Sequence, residues 1–170
     1  MEEQNPLFKQ YISFKNKIDK WEEALYEKYK ENFFCRGTCQ NCCSKEPKIL
    51  PIELAYLKTL KENYKSLTTQ KTNDCPFYNN NLCSIHSDRP VLCRIQGLPL
   101  WKKVGYTTGH KNICKENFSQ PGASDKISSQ DFLDIEEVET ALSKINVEFC
   151  ETTQNPDPHS KQSVSQFLVS

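Results

Sequence analysis

The sequence predicts a mainly α-helical protein with an irregular, cysteine-rich core and one small β-hairpin. Two observations support this fold class: amphipathic stretches lie near both ends of the chain, and eight of the nine cysteines lie between residues 35 and 114. A length of 170 residues favours a single domain, which we expect at residues 1–150. Only 36% of the residues are apolar, so we expect a modest hydrophobic core. Residues 151–170 are polar and contain Pro156 and Pro158, which predicts a flexible tail.

The first predicted element is a long N-terminal helix, residues 6–34. Asn5 and Pro6 are typical of an N-cap and a first helical position. Apolar side chains then recur in steps of four and three, which predicts an amphipathic helix of about 28 residues. The stripe consists of Leu7, Tyr11, Phe14, Ile18, Trp21, Leu25, Tyr29 and Phe33. We expect it to face the core; the alternative is a coiled-coil-like seam of a homodimer.

Two further helices are predicted. Pro51 opens one of them, with Leu54, Leu57, Leu60 and Tyr64 on or near one face. The last helix is expected at residues 129–149, capped by Ser128 or Ser129. Its apolar stripe consists of Ile135, Val138, Leu142, Ile145 and Phe149.

The hairpin is predicted around three asparagines, Asn79 to Asn81, which tolerate left-handed turns. If Tyr78 pairs with Leu82, Phe77 lies opposite Cys83, and Cys75 is a diagonal neighbour of Cys83 on the same face. Diagonal neighbours are about 7–8 Å apart. Both thiols could therefore reach one centre.

A short helical turn is expected after Ser87 or Asp88, entered through Arg89 and Pro90. It would bring Cys93 near its start, where backbone N–H groups favour a thiolate. The segment from Leu98 to Tyr106 is expected to be extended.

The cysteines form two sets along the chain, and their density predicts metal binding. The first set is Cys35, Cys39, Cys42 and Cys43, and the second is Cys75, Cys83, Cys93 and Cys114. A tetrahedral zinc site and a cubane iron–sulfur cluster each take four ligands, so eight thiols could fill two sites. Neighbouring side chains usually diverge, so Cys42 and Cys43 could serve different centres, or hold two edges of one polynuclear centre. The sequence leaves both arrangements open.

Residues beside the ligands have candidate supporting roles. Arg36, Arg89 and Arg94 could offset the negative charge of a thiolate site or donate hydrogen bonds to sulfur; alternatively, they pair with surface carboxylates. His86, His110 and His159 are less favoured as ligands. Cys150 lies at the end of the last helix and is expected to be a half-buried free thiol.

The compartment and the partner class follow from what the sequence lacks. The acidic, polar N-terminus is not followed by the apolar segment that is typical of a signal peptide. No stretch of the sequence approaches the roughly 18–20 apolar residues of a transmembrane helix. We therefore expect a cytoplasmic protein without a membrane partner. Clustered cysteines in that reducing compartment favour metal ligation over disulfides, which are the alternative. The net charge is zero and the basic residues are dispersed, which argues against nucleic acid.

The order of motifs resembles a known family. Cys35-x3-Cys39-x2-Cys42-Cys43 is followed by Cys75-Pro76-Phe77 and then by Cys83-Ser84-Ile85-His86-x2-Arg89-Pro90-x2-Cys93-Arg94. This order resembles the YkgJ-type cysteine-cluster family, described as a zinc- or iron-chelating domain and often labelled an iron–sulfur oxidoreductase. The Cys114 segment resembles the family's trailing cysteine. The first three cysteines also have the spacing of radical S-adenosylmethionine enzymes, but here a helix, not a barrel strand, precedes them.

The resemblance implies metal binding and leaves the reaction open. Flagellin lysine methylases carry a similar cysteine cluster, which is compatible with cluster-assisted methyl transfer, but no glycine-rich cofactor loop is evident here. The leading hypothesis is an iron–sulfur protein with a [4Fe–4S] cluster, active in redox or cluster-assisted chemistry with an unknown protein or small-molecule partner. The competing hypothesis is a non-catalytic Zn²⁺ module that staples a small fold or presents a partner surface. A role in metal trafficking is a third possibility.

Overall fold

A computed structural model describes residues 6–34, 41–43, 45–64, 75–79, 82–105, 108–154 and 157–168. The long N-terminal helix is confirmed as α1 (Lys9–Lys28), flanked by 3₁₀ turns at Pro6–Phe8 and Lys30–Asn32. It is shorter than predicted because the backbone at Tyr29 leaves the helical region, with φ of −121°. The predicted stripe faces the protein's own core: Tyr11, Ile18, Leu25 and Phe33 are all buried.

A short strand, β1 (Lys48–Ile49), leads into the second helix, α2 (Pro51–Thr59). Pro51 occupies the start of α2, as predicted. Glu53 completes the N-terminal cap, because its carboxylate accepts a hydrogen bond from the Leu50 N–H at 3.1 Å.

The predicted hairpin is present as β2 (Tyr78–Asn79) and β3 (Leu82–Cys83), but the predicted register is wrong by one residue. Tyr78 lies opposite Cys83, and Asn79 lies opposite Leu82. The Phe77 carbonyl accepts hydrogen bonds from both the N–H and the hydroxyl of Ser84, each at 2.8 Å, which sets this register. The connection is therefore two residues long, 80–81, and lies outside the described residues.

The helical turn expected near Cys93 is α3 (Val91–Arg94), a single turn. The prediction of only one hairpin is wrong, because β4 (Leu100–Val104) pairs antiparallel with β5 (Thr108–Asn112). The sequence of β5 is polar and contains Gly109, so it has little strand character by itself. Gly109 is required because the Trp101 ring occupies the space of a Cβ there.

A two-residue strand, β6 (Leu133–Asp134), pairs parallel with β4 and precedes the last helix, α4 (Ile135–Thr153). The predicted start at residue 129 is wrong. Ser128 instead precedes a 3₁₀ turn, and Asp134 caps α4 by accepting hydrogen bonds from the Glu136 and Glu137 N–H groups at 3.0 and 3.3 Å. The stripe on α4 is confirmed, with Val138, Leu142 and Phe149 buried.

The C-terminal segment differs from the flexible tail expected for residues 151–170. Strand β7 (Gln162–Ser163) pairs antiparallel with β1, and a 3₁₀ turn follows at Val164–Leu168. Val164 and Phe167 are both 1% exposed. The 3₁₀ turn packs against α2.

The described residues form three hydrophobic clusters. The first joins α1, α2 and α4 and contains Cys150. The second consists of Ile49, Leu54, Leu57, Cys75, Phe77, Ile85, Val164 and Phe167. The third surrounds Phe33 and Phe118 near the end of α1. Among the described residues, no helix is long and apolar enough to cross a membrane.

Candidate metal centre

A cavity of about 430 Å³ brings together thiols from both cysteine sets. Its walls come from the residues before β1, the β2–β3 hairpin, α3, the first turn of α4 and the C-terminal segment. The thiols that line it are Cys42, Cys43, Cys75, Cys83 and Cys93. Five of the eight predicted ligands therefore share one site.

The two cysteine sets meet at Cys43 and Cys75. The Cys75 N–H donates to the Cys43 carbonyl at 3.0 Å, so the hairpin is tied directly to the first set. The two side chains also hydrogen-bond to each other, and this bond raises the pKa of Cys43 and lowers the pKa of Cys75. Cys43 therefore faces the hairpin.

Cys93 lies in α3, but its surroundings do not favour a thiolate as the sequence predicted. Burial raises the pKa of Cys93 to about 12, and the nearby Glu53 carboxylate adds to the shift. The N–H at the start of α3 does not favour the thiolate, because the Val91 N–H donates to Glu53 at 2.8 Å. In the protein without metal, Cys93 is therefore a neutral thiol near neutral pH.

Cys114 lies apart from the main cavity, in a neighbouring depression of about 230 Å³ that Cys42 also lines. Gly97, with φ of +85°, allows this approach; a Cβ there would lie 3.3 Å from the Cys114 Cβ. Cys42 thus connects the depression to the main cavity.

Three predicted residues of the site, Cys35, Arg36 and Cys39, lie outside the described residues. Within the described ranges, no three histidine, cysteine or carboxylate side chains lie close enough together to coordinate one ion. The described thiols line one cavity without converging on one point.

Asn117, which the sequence analysis missed, positions the loops around the site. It is 2% exposed, and its amide donates to the Gly97 carbonyl at 2.8 Å. Its side-chain oxygen accepts from the Phe34 N–H at 3.0 Å. This bond places Phe34 beside the turn that follows α3. A polar residue in a loop carries no periodic pattern, so no sequence signal marked it.

Arg89 and Arg94 are held by a buried carboxylate on α1. Glu22 is 4% exposed and accepts hydrogen bonds from Arg89 at 3.0 Å and from Arg94 at 2.8 Å. Arg94 also pairs with Asp19 at 2.7 Å and donates to the Ser87 carbonyl at 2.5 Å. The carboxylate partner is buried, in contrast to the surface carboxylates considered from the sequence.

Arg89 has a second role, because it also lines the cavity. Its positive charge acts to lower the pKa of both Cys43 and Cys93, although other effects dominate the shift of each thiol. Arg94 does not line the cavity. Of the two arginines, Arg89 has the position to offset negative charge on bound thiolates.

Glu53 is a second buried carboxyl that the sequence analysis missed. It is 0% exposed, and its two oxygens accept hydrogen bonds from the N–H groups that open α2 and α3. Burial raises the pKa of Glu53 to about 7. The signal available in the sequence was its position, three residues after Leu50, typical of a capping residue.

The three histidines and Cys150 differ in their position relative to the cavity. His86 lines the cavity, and its Nε2 is buried with no hydrogen-bond partner among the described residues. Burial and the nearby Arg89 lower the pKa of His86. His110 and His159 are exposed. Cys150 is 1% exposed, deeper than the half-buried position expected, and lies 3.9 Å from the Asn146 side-chain oxygen.

The chemistry of this donor set fits a thiophilic metal. Zinc binds cysteine thiolates and histidine imidazoles, and iron–sulfur clusters are held mainly by cysteine thiolates. Apolar side chains form part of the cavity wall, and Arg89 adds a positive charge beside the thiols. The five cysteines that line this cavity are the candidate ligands, and Cys114 lines the adjacent depression.

Comparison with known proteins supports the same chemistry. Residues 34–115 match the model of the CxxCxxCC family, which is described as a "Putative zinc- or iron-chelating domain". The resemblance drawn from the sequence to a cysteine-cluster family is confirmed. No curated protein matches the chain. No solved structure matches it either.

Proposed function

Because residues 34–115 match the model of a family described as a zinc- or iron-chelating domain, we propose that this protein binds a [4Fe–4S] cluster and acts in redox or cluster-assisted chemistry in the cytoplasm. The observation that carries the proposal is the sharing of one cavity by five thiols from both cysteine sets. Four thiolates suffice for one such cluster. One polynuclear centre accounts for this arrangement more simply than two separate sites.

The chain's own residues prepare the site for a charged group. The Cys43–Cys75 hydrogen bond and the Cys75 N–H bond hold two ligands side by side. Arg89 is fixed by Glu22 and adds a positive charge at the cavity wall. Apolar side chains such as Phe77 and Ile85 limit the access of water. When bound, an iron–sulfur cluster supplies an electron-transfer centre or a Lewis-acidic iron.

Zinc is the second candidate, and the packing favours it in one respect. Cys75 belongs to the second hydrophobic cluster, and Cys43 and Cys83 pack against that cluster. A metal at this position would connect the first cysteine set, the hairpin and the C-terminal segment. Such a link would stabilise a small fold without any reaction.

Anaerobic purification of the full chain, followed by assays of iron, zinc and acid-labile sulfide, separates these functions. The cluster proposal predicts a brown protein with about four iron and four sulfide per chain. A colourless protein with stoichiometric zinc and no sulfide would overturn it in favour of the zinc module. A protein with neither metal would refute both.

A further inference from the structure

The lining of the cysteine cavity extends beyond its five thiols. Its volume of about 430 Å³ lies within the range of roughly 300–1,000 Å³ that is typical of small-molecule sites. The thiols occupy only part of the wall. Much of the remainder is apolar and includes Pro47, Ile49, Leu92 and Ile135. Such a wall suits the hydrocarbon part of an organic molecule.

Positive side chains line the same cavity. Lys45, Lys48 and Lys161 are exposed and contribute to its lining, so they lie at its mouth. Among the described residues, none of the three forms an ion pair. Arg89 lies deeper and is 8% exposed, but Glu22 already pairs with it. Within the described part of the lining, these three lysines are cations outside the ion pairs that hold Arg89.

Two carboxylates line the cavity as well. Glu46 is near Lys48, and its oxygen accepts a hydrogen bond from the Ser165 N–H at 2.7 Å, so it serves to hold the C-terminal segment. Glu139 is exposed at the start of α4. The three lysines outnumber the two carboxylates, and one of these carboxylates, that of Glu46, accepts a hydrogen bond from the backbone. The described residues at the mouth therefore carry a net positive charge.

We propose that this cavity binds a small organic anion beside the metal. The apolar part of the ligand packs on Pro47, Ile49, Leu92 and Ile135, and its carboxylate, phosphate or sulfonate group pairs with Lys48, Lys161 and Lys45. This proposal rests on the proposed function for the role of the anion, as a substrate or ligand next to the metal centre. It distinguishes an active centre from a purely structural metal.

A matched pair of fluorescent probes tests the proposal on the purified, metal-loaded full chain. 8-Anilinonaphthalene-1-sulfonate has an apolar body and one sulfonate, and N-phenyl-1-naphthylamine is the same hydrocarbon without the sulfonate. We expect saturable binding of both probes to one site. The double variant Lys48→Gln/Lys161→Gln should weaken binding of the sulfonate about tenfold and leave the neutral probe unchanged.

Two further variants locate the binding site. Lys102→Gln/Lys126→Gln removes two exposed lysines elsewhere and should change neither affinity. Ile135→Trp fills the cavity and should weaken both probes. Equal sulfonate affinity in the two lysine double variants, or full binding in Ile135→Trp, would overturn the proposal.

Metal and sulfide assays on the same samples keep the two proposals separate. A fully metal-loaded protein without saturable sulfonate binding refutes the anion site alone. Saturable, lysine-dependent binding in a protein that contains neither iron nor zinc refutes the metal centre alone.

Discussion

The cysteine cavity and the helical core each contain a buried thiol, but the two thiols have different neighbours. Cys75 is 7% exposed and hydrogen-bonds to Cys43 within a cavity lined by three more cysteines. Cys150 is 1% exposed and packs in the first hydrophobic cluster, where its polar contact is Asn146. The same side chain is a candidate ligand in one region and a small core residue in the other.

The two regions also differ in how they are held together. The helical core relies on apolar faces of α1, α2 and α4. The cavity is positioned by buried polar groups: Glu22 holds both arginines, and Glu53 holds the starts of α2 and α3. Each such group is sensitive to the loss of one partner, because the other would remain buried and unpaired.

The largest difference between the regions is expected from removal of a thiol. Mutation of residues that only support metal ligands typically lowers metal affinity roughly 10–100-fold, and Cys83→Ser should lower it by more. Cys83→Ser should also lower thermal stability, because metal binding and folding are coupled. Cys150→Ser is the matched control and should leave metal content unchanged. Elemental analysis and thermal unfolding provide the measurements. Unchanged metal content in Cys83→Ser would refute its assignment as a ligand.

Removal of one buried carboxylate is expected to have the next largest effect. Glu22→Ala leaves Arg89 and Arg94 buried with fewer partners and should cost about 3–5 kcal/mol of unfolding free energy. Asp131→Asn weakens the pair with Lys28, whose side chain is 52% exposed, and should cost no more than about 1 kcal/mol. Urea unfolding of both variants measures the difference. Similar costs for the two would contradict the structural role of Glu22.

A smaller, pH-dependent effect is expected from Glu53. Its pKa in the folded protein is about 7, above the ordinary value of 4.5, so the folded state retains a proton that the unfolded state has lost. Wild-type stability should therefore fall, relative to Glu53→Gln, by about 3 kcal/mol as pH rises from 4.5 to 7, and then level off. Urea unfolding across this pH range tests it. Parallel pH profiles would show that Glu53 does not titrate in this way.

Local features of the fold were predictable from the sequence because they depend on neighbours along the chain. The long N-terminal helix, the start of α2 at Pro51 and the apolar stripe on α4 follow from periodicity and capping residues. The identity of the candidate ligands also followed from residue type and spacing, and their family was recognised on the same basis. Strand β5 and the hairpin register were not predictable, because polar two- to five-residue strands have little pattern.

The sequence by itself determined which cysteines are candidate metal ligands, and the tertiary structure decided which of the described ones line one cavity. Cys43 lies against Cys75 because of a backbone hydrogen bond between residues 32 positions apart, and Cys42 connects the cavity to Cys114. The packing of Phe167 and the hydrogen bond from Ser165 to Glu46 bring the C-terminal segment, with Lys161, to the cavity. Such contacts join distant parts of the chain through single polar or apolar side chains. The spacing of residues along the sequence does not predict these contacts.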